Sequence, residues 1–126
     1  MNDGPNPGAL WRRAVGRWGE DLAARHLQSA GLVVLSRNWL CREGELDLVL
    51  SDGDKVVFCE VKTRTGTGFG TPKESVTDEK IDRIRRAAQR WLQAHRVGWC
   101  RTRYDVVTVL APAGAHPEVH HIAGAF

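Results

Sequence analysis

The pattern that most constrains the fold lies at residues 44–62. Two runs rich in β-branched and apolar residues, Gly-Glu-Leu-Asp-Leu-Val-Leu and Lys-Val-Val-Phe-Cys-Glu-Val-Lys, flank Ser51-Asp52-Gly53-Asp54. An Asp-Gly pair between such runs is the strongest short-range signal for a β-hairpin, because a type I′ turn needs positive φ at both central residues. With Asp52 and Gly53 in the turn, Leu50 faces Lys55, Asp47 faces Phe58 and Glu45 faces Glu60. Side chains alternate along a strand, so Glu45, Asp47, Phe58, Glu60 and Lys62 share one face, and Leu46, Leu48, Val57, Cys59 and Val61 share the other. Diagonal separations of roughly 7–8 Å let Asp47 and Glu60 share one ion.

Like charges facing each other across a sheet repel, so a purely structural hairpin has little reason to set Glu45 against Glu60. A divalent cation removes that repulsion, and Mg²⁺, held by one or two carboxylates plus waters and phosphate oxygens, suits the group better than a closed protein cage. The plain alternative is a solvated hairpin face with one Glu-Lys pair. A lone Glu-x-Lys is weak; its conjunction with an acid at matching register is stronger.

These residues resemble the pattern of the PD-(D/E)xK nuclease superfamily, an acid on one hairpin strand followed by Glu-x-Lys on the next. More closely, the chain is similar to the YraN-like family of predicted endonucleases, related to archaeal Holliday junction resolvases. The matching stretches are Gly16-x-x-Gly19-Glu20, Asn38, Gly44-Glu45-Leu46-Asp47-Leu48-Val49, Phe58-Cys59-Glu60-Val61-Lys62-x-Arg64, Phe69-Gly70-x-Pro72 and Arg103-Tyr104-Asp105-Val106-Val107. Leu46 stands where the superfamily motif has a proline, a departure that removes no ligand. The resemblance implies a restriction-endonuclease-like core and a glutamate of the first helix, here Glu20, reaching towards the metal; an ordinary surface glutamate is the alternative.

A chain of 126 residues, 42% hydrophobic and 26% charged, is one globular domain able to bury a core. No apolar run spans a membrane and no signal peptide opens the chain, so a cytoplasmic protein without membrane contact is expected. Cys41, Cys59 and Cys100 are too widely spaced for a zinc cluster or a disulfide framework. The net charge of +3 is polarised. Residues 80–103 hold eight basic residues against Asp82, a net of +7, which leaves −4 on the rest. A basic region beside an acidic hairpin suits a polyanion presented to a carboxylate-held metal, although a basic helix is also often a solvated face.

Residues 1–8 read as a flexible tail ahead of a single domain at 9–126. Residues 9–30 form an amphipathic helix, with Trp11, Ala14, Val15, Trp18, Leu22, His26 and Ala30 at three- and four-residue spacing and Gly31 at the left-handed cap. Gly16 and Gly19 within it each cost on the order of 1 kcal/mol, which a close approach by backbone or nucleic acid would explain. Residues 32–35 read as a short strand and 36–44 as its connection, with Trp39 anchoring the connection to the core rather than stacking on a base. Residues 63–72, with three glycines in five positions, form a mobile loop at the metal site. Thr77 or Asp78 caps a second helix with Ile81, Ile84, Ala88, Trp91, Leu92 and His95 on its buried stripe and Gly98 at its end. Strands follow at 103–110 and 118–122, and Asp105 is given a structural role.

The expected fold is therefore α/β: one mixed sheet of four to five strands flanked by helices, in the order α-β-β-β-α-β. The expected function is a metal-dependent endonuclease acting on DNA. Asp47, Glu60 and Lys62 carry catalysis. Asp47 and Glu60 hold Mg²⁺ or Mn²⁺, with the Val61 carbonyl, Glu20 and Glu45 as further ligands. Arg64, Arg83, Arg86, Arg90, Arg17 and Arg42 contact phosphates. Arginine contacts to phosphate carry no sequence information, so selectivity for DNA structure is expected, and branched DNA and a homodimer follow only from the resemblance to junction resolvases. The rival readings are a nucleic-acid-binding module that does not cleave and a subunit of a repair or recombination complex.

Overall fold

The computed structural model describes residue 4 and residues 6–65 and 76–126. The elements run α1 (Pro7–Ser29), β1 (Val33–Cys41), β2 (Gly44–Ser51), β3 (Lys55–Thr65), α2 (Asp78–Ala94), β4 (Arg101–Ala111) and β5 (Glu118–Ile122). The strands form one mixed sheet in sequential order: β3 and β4 pair in parallel across the α2 crossover, and the other neighbours are antiparallel. The arrangement is consistent with a restriction-endonuclease-like fold, with a fifth strand closing the expected order.

One helix covers each face. Ala23, Ala24 and Leu27 of α1 pack on Leu48, Leu50, Val57, Cys59, Val107 and Val109. Ile84, Ala87, Ala88 and Trp91 of α2 pack on Leu46, Val49, Val56 and Phe58. The central strands are thus buried on both sides, which is why they read as nearly continuous apolar runs.

Local chemistry sets the element ends. Asn6 caps α1 by accepting the Gly8 N–H, so Pro7 and Gly8, assigned to the tail, are its first helical residues. Gly31, at φ 97°, closes α1 as expected: its N–H bonds Gln28 O and the Leu32 N–H bonds Leu27 O. Thr77 caps α2 through the Lys80 N–H. That helix does not run to Gly98. It ends at Ala94, and Arg96 takes the left-handed position at φ 53° while the Val97 N–H returns to Leu92 O.

Two strand expectations need correction. Residues 36–41 are not a connection: they continue β1, which meets β2 through a turn at Arg42-Glu43, so Trp39 is a strand residue packed on the α2 side. The hairpin register is also displaced by two residues. Leu50 faces Val57, Val49 faces Phe58 and Leu48 faces Cys59, so Phe58 is taken by Val49 rather than Asp47, and Asp47 comes next to Glu60 just beyond the last paired residues. The cause is Asp52. Its carboxylate accepts the N–H groups of Asp54 and Lys55, so Gly53, at φ 92°, and Asp54 become the turn. Those hydrogen bonds also hold the Asp52 carboxyl down at about 2.

Most of the residue 63–72 loop, with Phe69, Gly70 and Pro72, lies outside the described residues, and Thr63, Arg64 and Thr65 extend β3. No helix among the described residues is long and apolar enough to cross a membrane.

Candidate active site

The two-residue displacement keeps the parity of the hairpin faces, so Asp47 and Glu60 still meet. Past Leu48 and Cys59 the backbone ladder between β2 and β3 stops. There the Val61 N–H donates to Asp47 Oδ2 at 2.9 Å, a side chain substituting for the missing ladder bond. On the other side of β2 the pairing passes from Arg37–Leu48 to Trp39–Leu46, and Asn38 between them has φ of 50°. One reversal of the alternation follows. Leu46 packs with α2 while Leu48 packs with α1, contrary to the expectation that both share a face. The acids therefore sit where the sheet is locally opened, accessible from both helix layers.

From the α1 side, Glu20 joins them. Ligand oxygens of Glu20, Glu45 and Asp47 all lie within 4.8 Å of one another. This cluster could bind a metal. Burial, then the charge of Glu60, pushes the Asp47 carboxyl up to about 8, against the opposing Val61 hydrogen bond. Burial also raises Glu20, with Glu45 adding to the shift and Asn38 opposing it. Glu20 Oε2 is buried and has no hydrogen-bond partner among the described residues. An acceptor left unsatisfied in a half-buried acidic cluster fits a cation ligand.

Glu60 is arranged differently from the expectation. Its Oε1 lies 2.8 Å from Lys80 Nζ on the first turn of α2, which neutralises it from outside the hairpin. Lys62 follows Glu60 on the same side of β3 and is half-buried. Lys80 was legible only as part of the basic segment, since nothing in the local spacing ties α2 to residue 60. Glu43, also missed, lines the same cleft from the β1–β2 turn beside Glu45, Asp47, Glu60, Lys80 and Arg83.

The expected phosphate contacts scatter. Arg83 lines the acidic cleft. Arg90 is taken by Glu43 at 2.7 Å, and Arg86 Nε donates to Asp82 O, so the three arginines spaced along α2 do not act as one row. Arg42 is exposed at the β1–β2 turn and Arg17 on α1, while Arg64 is half-buried near the end of β3. Arg37 pairs with Asp21 at 2.6 Å. Arg12, one turn before Gly16, reaches the cleft that contains Glu20, Asp47, Glu60 and Val61.

The glycines resolve separately. A Cβ on Gly19 would stand 1.8 Å from Thr63 Oγ1, so this residue lets α1 lie against β3 and brings Glu20 to the acids. A Cβ on Gly16 would meet nothing within 4 Å, and the residue lines the cleft. Asp105 is structural, as expected. It is fully buried, accepts two hydrogen bonds from Arg103 and one from the Gly124 N–H, and lies 2.7 Å from His121 Nε2. His120 points elsewhere, to Glu118.

Comparison with known proteins places these residues in a family. Residues 19–109 match the uncharacterised protein family UPF0102. The UPF0102 protein of Frankia casuarinae is 54% identical over 113 residues, 90% of this chain and 96% of its own length. That of Acidothermus cellulolyticus is 47% identical over 125 residues, covering 91% of this chain and 95% of the relative. That of Rhodococcus opacus is 49% identical over 113 residues, 90% and 96% of the two chains.

Proposed function

Because the chain belongs to the UPF0102 family, the YraN-like group of predicted PD-(D/E)xK nuclease-like proteins, we propose that it is a metal-dependent endonuclease hydrolysing DNA phosphodiester bonds. The observation that carries this reading is the meeting of Glu20, Glu45 and Asp47 within 4.8 Å, next to a buried Glu20 oxygen without a hydrogen-bond partner among the described residues. Asp47, Glu20 and Glu45 would hold Mg²⁺ or Mn²⁺, with Glu60 and the Val61 carbonyl as further ligands. The chemistry that a bound divalent ion would supply there is polarisation of a phosphoryl oxygen and a lowered pKa for a coordinated water.

The chain's own groups do the rest. Asp47 keeps its hydrogen bond from the Val61 N–H, which fixes one carboxylate oxygen and leaves the other to ligate. Lys62 stabilises charge developing on the phosphate or positions the attacking water. Lys80 balances Glu60 at 2.8 Å and would be left to face the phosphate if Glu60 took a ligand role. Arg83 and Arg12 approach the cleft from opposite helices and neutralise the flanking phosphates. Such contacts read no sequence, so binding is selective for DNA structure and weakens steeply as salt rises. Paired cuts on branched DNA would require a homodimer.

The test is cleavage of end-labelled four-way junction, flap, single-stranded and duplex DNA with Mg²⁺ or Mn²⁺. Glu60→Gln, Glu20→Gln and Lys62→Ala should each lower the rate by roughly a hundredfold or more, with DNA binding retained. Tight binding by the wild type with no metal-dependent product on any substrate would replace this reading with that of a non-cleaving nucleic-acid-binding module.

A further inference from the structure

Beside the acidic cluster, the first half of α1 carries a surface that the hydrolytic chemistry does not use. Trp11, Ala14, Val15 and Trp18 recur at i, i+3, i+4 and i+7, a spacing that ordinarily marks the buried stripe of a helix. Here no described residue covers the stripe: Trp11 is 66% and Trp18 41% exposed. Together these residues line one apolar groove that ends against Thr65 and Ala111. Trp11 and Val15 also line the cleft containing Glu20 and Asp47, so groove and cleft are continuous.

An apolar groove alone would suit several partners, and its charge distinguishes among them. Arg12, Arg13 and Arg17 are exposed on the same turns, and no acidic residue occurs between residue 6 and Glu20. That favours a polyanion, and continuity with the acidic cleft favours the strand that the cleft would cut. Exposed indole faces stack nucleobases, but only bases that are unpaired, since a duplex keeps its base faces within the stack. Seven residues separate the two indoles, about 10 Å along the helix, enough for neighbouring nucleotides.

Resting on the nuclease reading of the cleft, we propose that the first half of α1 is a platform for unpaired nucleotides. Trp11 and Trp18 stack bases of a single strand, and Arg12, Arg13 and Arg17 hold its phosphates. The strand then passes Gly16, where a Cβ would find open space, to the carboxylates. The substrate class is DNA with a single-stranded segment beside the scissile phosphate, such as a flap or splayed arm, rather than continuous duplex.

The experiment is fluorescence anisotropy with a labelled oligothymidylate and a hairpin duplex, in a chelator so that no strand is cut. Wild type should favour the single strand. Trp11→Ala should weaken that binding roughly five- to one-hundred-fold, the worth of one stacked base, while duplex affinity stays unchanged. Trp11→Tyr should keep most of the affinity, and Trp18→Ala should repeat the loss. Trp99→Ala, at a residue 90% exposed that lines neither groove nor cleft, should change nothing.

Unchanged single-strand affinity in both Trp11→Ala and Trp18→Ala would overturn the platform, as would equal losses for single strand and duplex. A variant that altered the mass in solution but not DNA binding would assign the groove to a second copy of the chain and overturn it equally. Because binding is read without turnover, a wild type that stacks single strands but never cleaves refutes the nuclease reading and leaves the platform standing.

Discussion

A Cβ on Gly19 would overlap Thr63 Oγ1, at 1.8 Å, and Thr63 is a β-branched strand residue that cannot swing aside as a long side chain would. Gly19→Ala should therefore lower stability by about 1–3 kcal/mol, despite the gain in helix propensity. Thr63→Ala in the same chain should recover much of the loss, and paired denaturant titrations measure the coupling directly. Gly16→Ala meets open space and should stabilise the helix by up to about 1 kcal/mol in the same titrations. If the cleft carries a strand past this residue, the same change weakens DNA binding, so stability and binding move in opposite directions. The two glycines look alike in the sequence. Only the approach of α1 to β3 separates them.

At the scale of the element, α2 ends on an arginine in a conformation that glycine takes without penalty. Arg96 has φ of 53° and makes no ion pair among the described residues. Arg96→Gly should stabilise the protein by about 0.5–1 kcal/mol, seen as a rise of a few degrees in Tm. Gly98 attracted the cap assignment because glycine is the usual residue there, and composition cannot reveal that the chain turns two residues earlier. The β2–β3 turn has the same lesson. An Asp-Gly pair announced a hairpin correctly, yet its register depended on which backbone N–H groups the Asp52 carboxylate could reach. The β1 extension through residues 36–41 was hidden because Ser36, Arg37 and Asn38 interrupt the apolar alternation at a kinked edge strand.

Over the whole molecule, the acidic cluster makes stability depend on pH and on cations together. Asp47, near 4 when unfolded and about 8 when folded, favours the native state while protonated. Its contribution is complete below about pH 4 and is lost as the pH climbs towards 8, on the order of a few kcal/mol in chelator. Asp52 and Asp105, both held below the usual carboxylate range, stay ionised across that window, and their contributions are lost only as the pH falls further. Mg²⁺ or Mn²⁺, binding the ionised form, should raise the Tm more at about pH 8 than at about pH 5. Asp47→Asn should flatten both trends, and thermal melts with and without chelator across that range provide the check. If Mg²⁺ and Mn²⁺ leave the Tm unmoved at every pH, the cluster is not a cation site. By itself, the sequence determined the α/β class, the two helices, the hairpin and the nearness of Asp47 to Glu60, because periodicity, capping residues and strand parity act over a few residues and survive a two-residue slip. The tertiary structure alone decided that Glu20 reaches Glu45 and Asp47 while Lys80 takes Glu60, and that Trp11 and Trp18 stay exposed. Those outcomes depend on where α1 and α2 cross the sheet, a matter of packing between residues far apart in the chain.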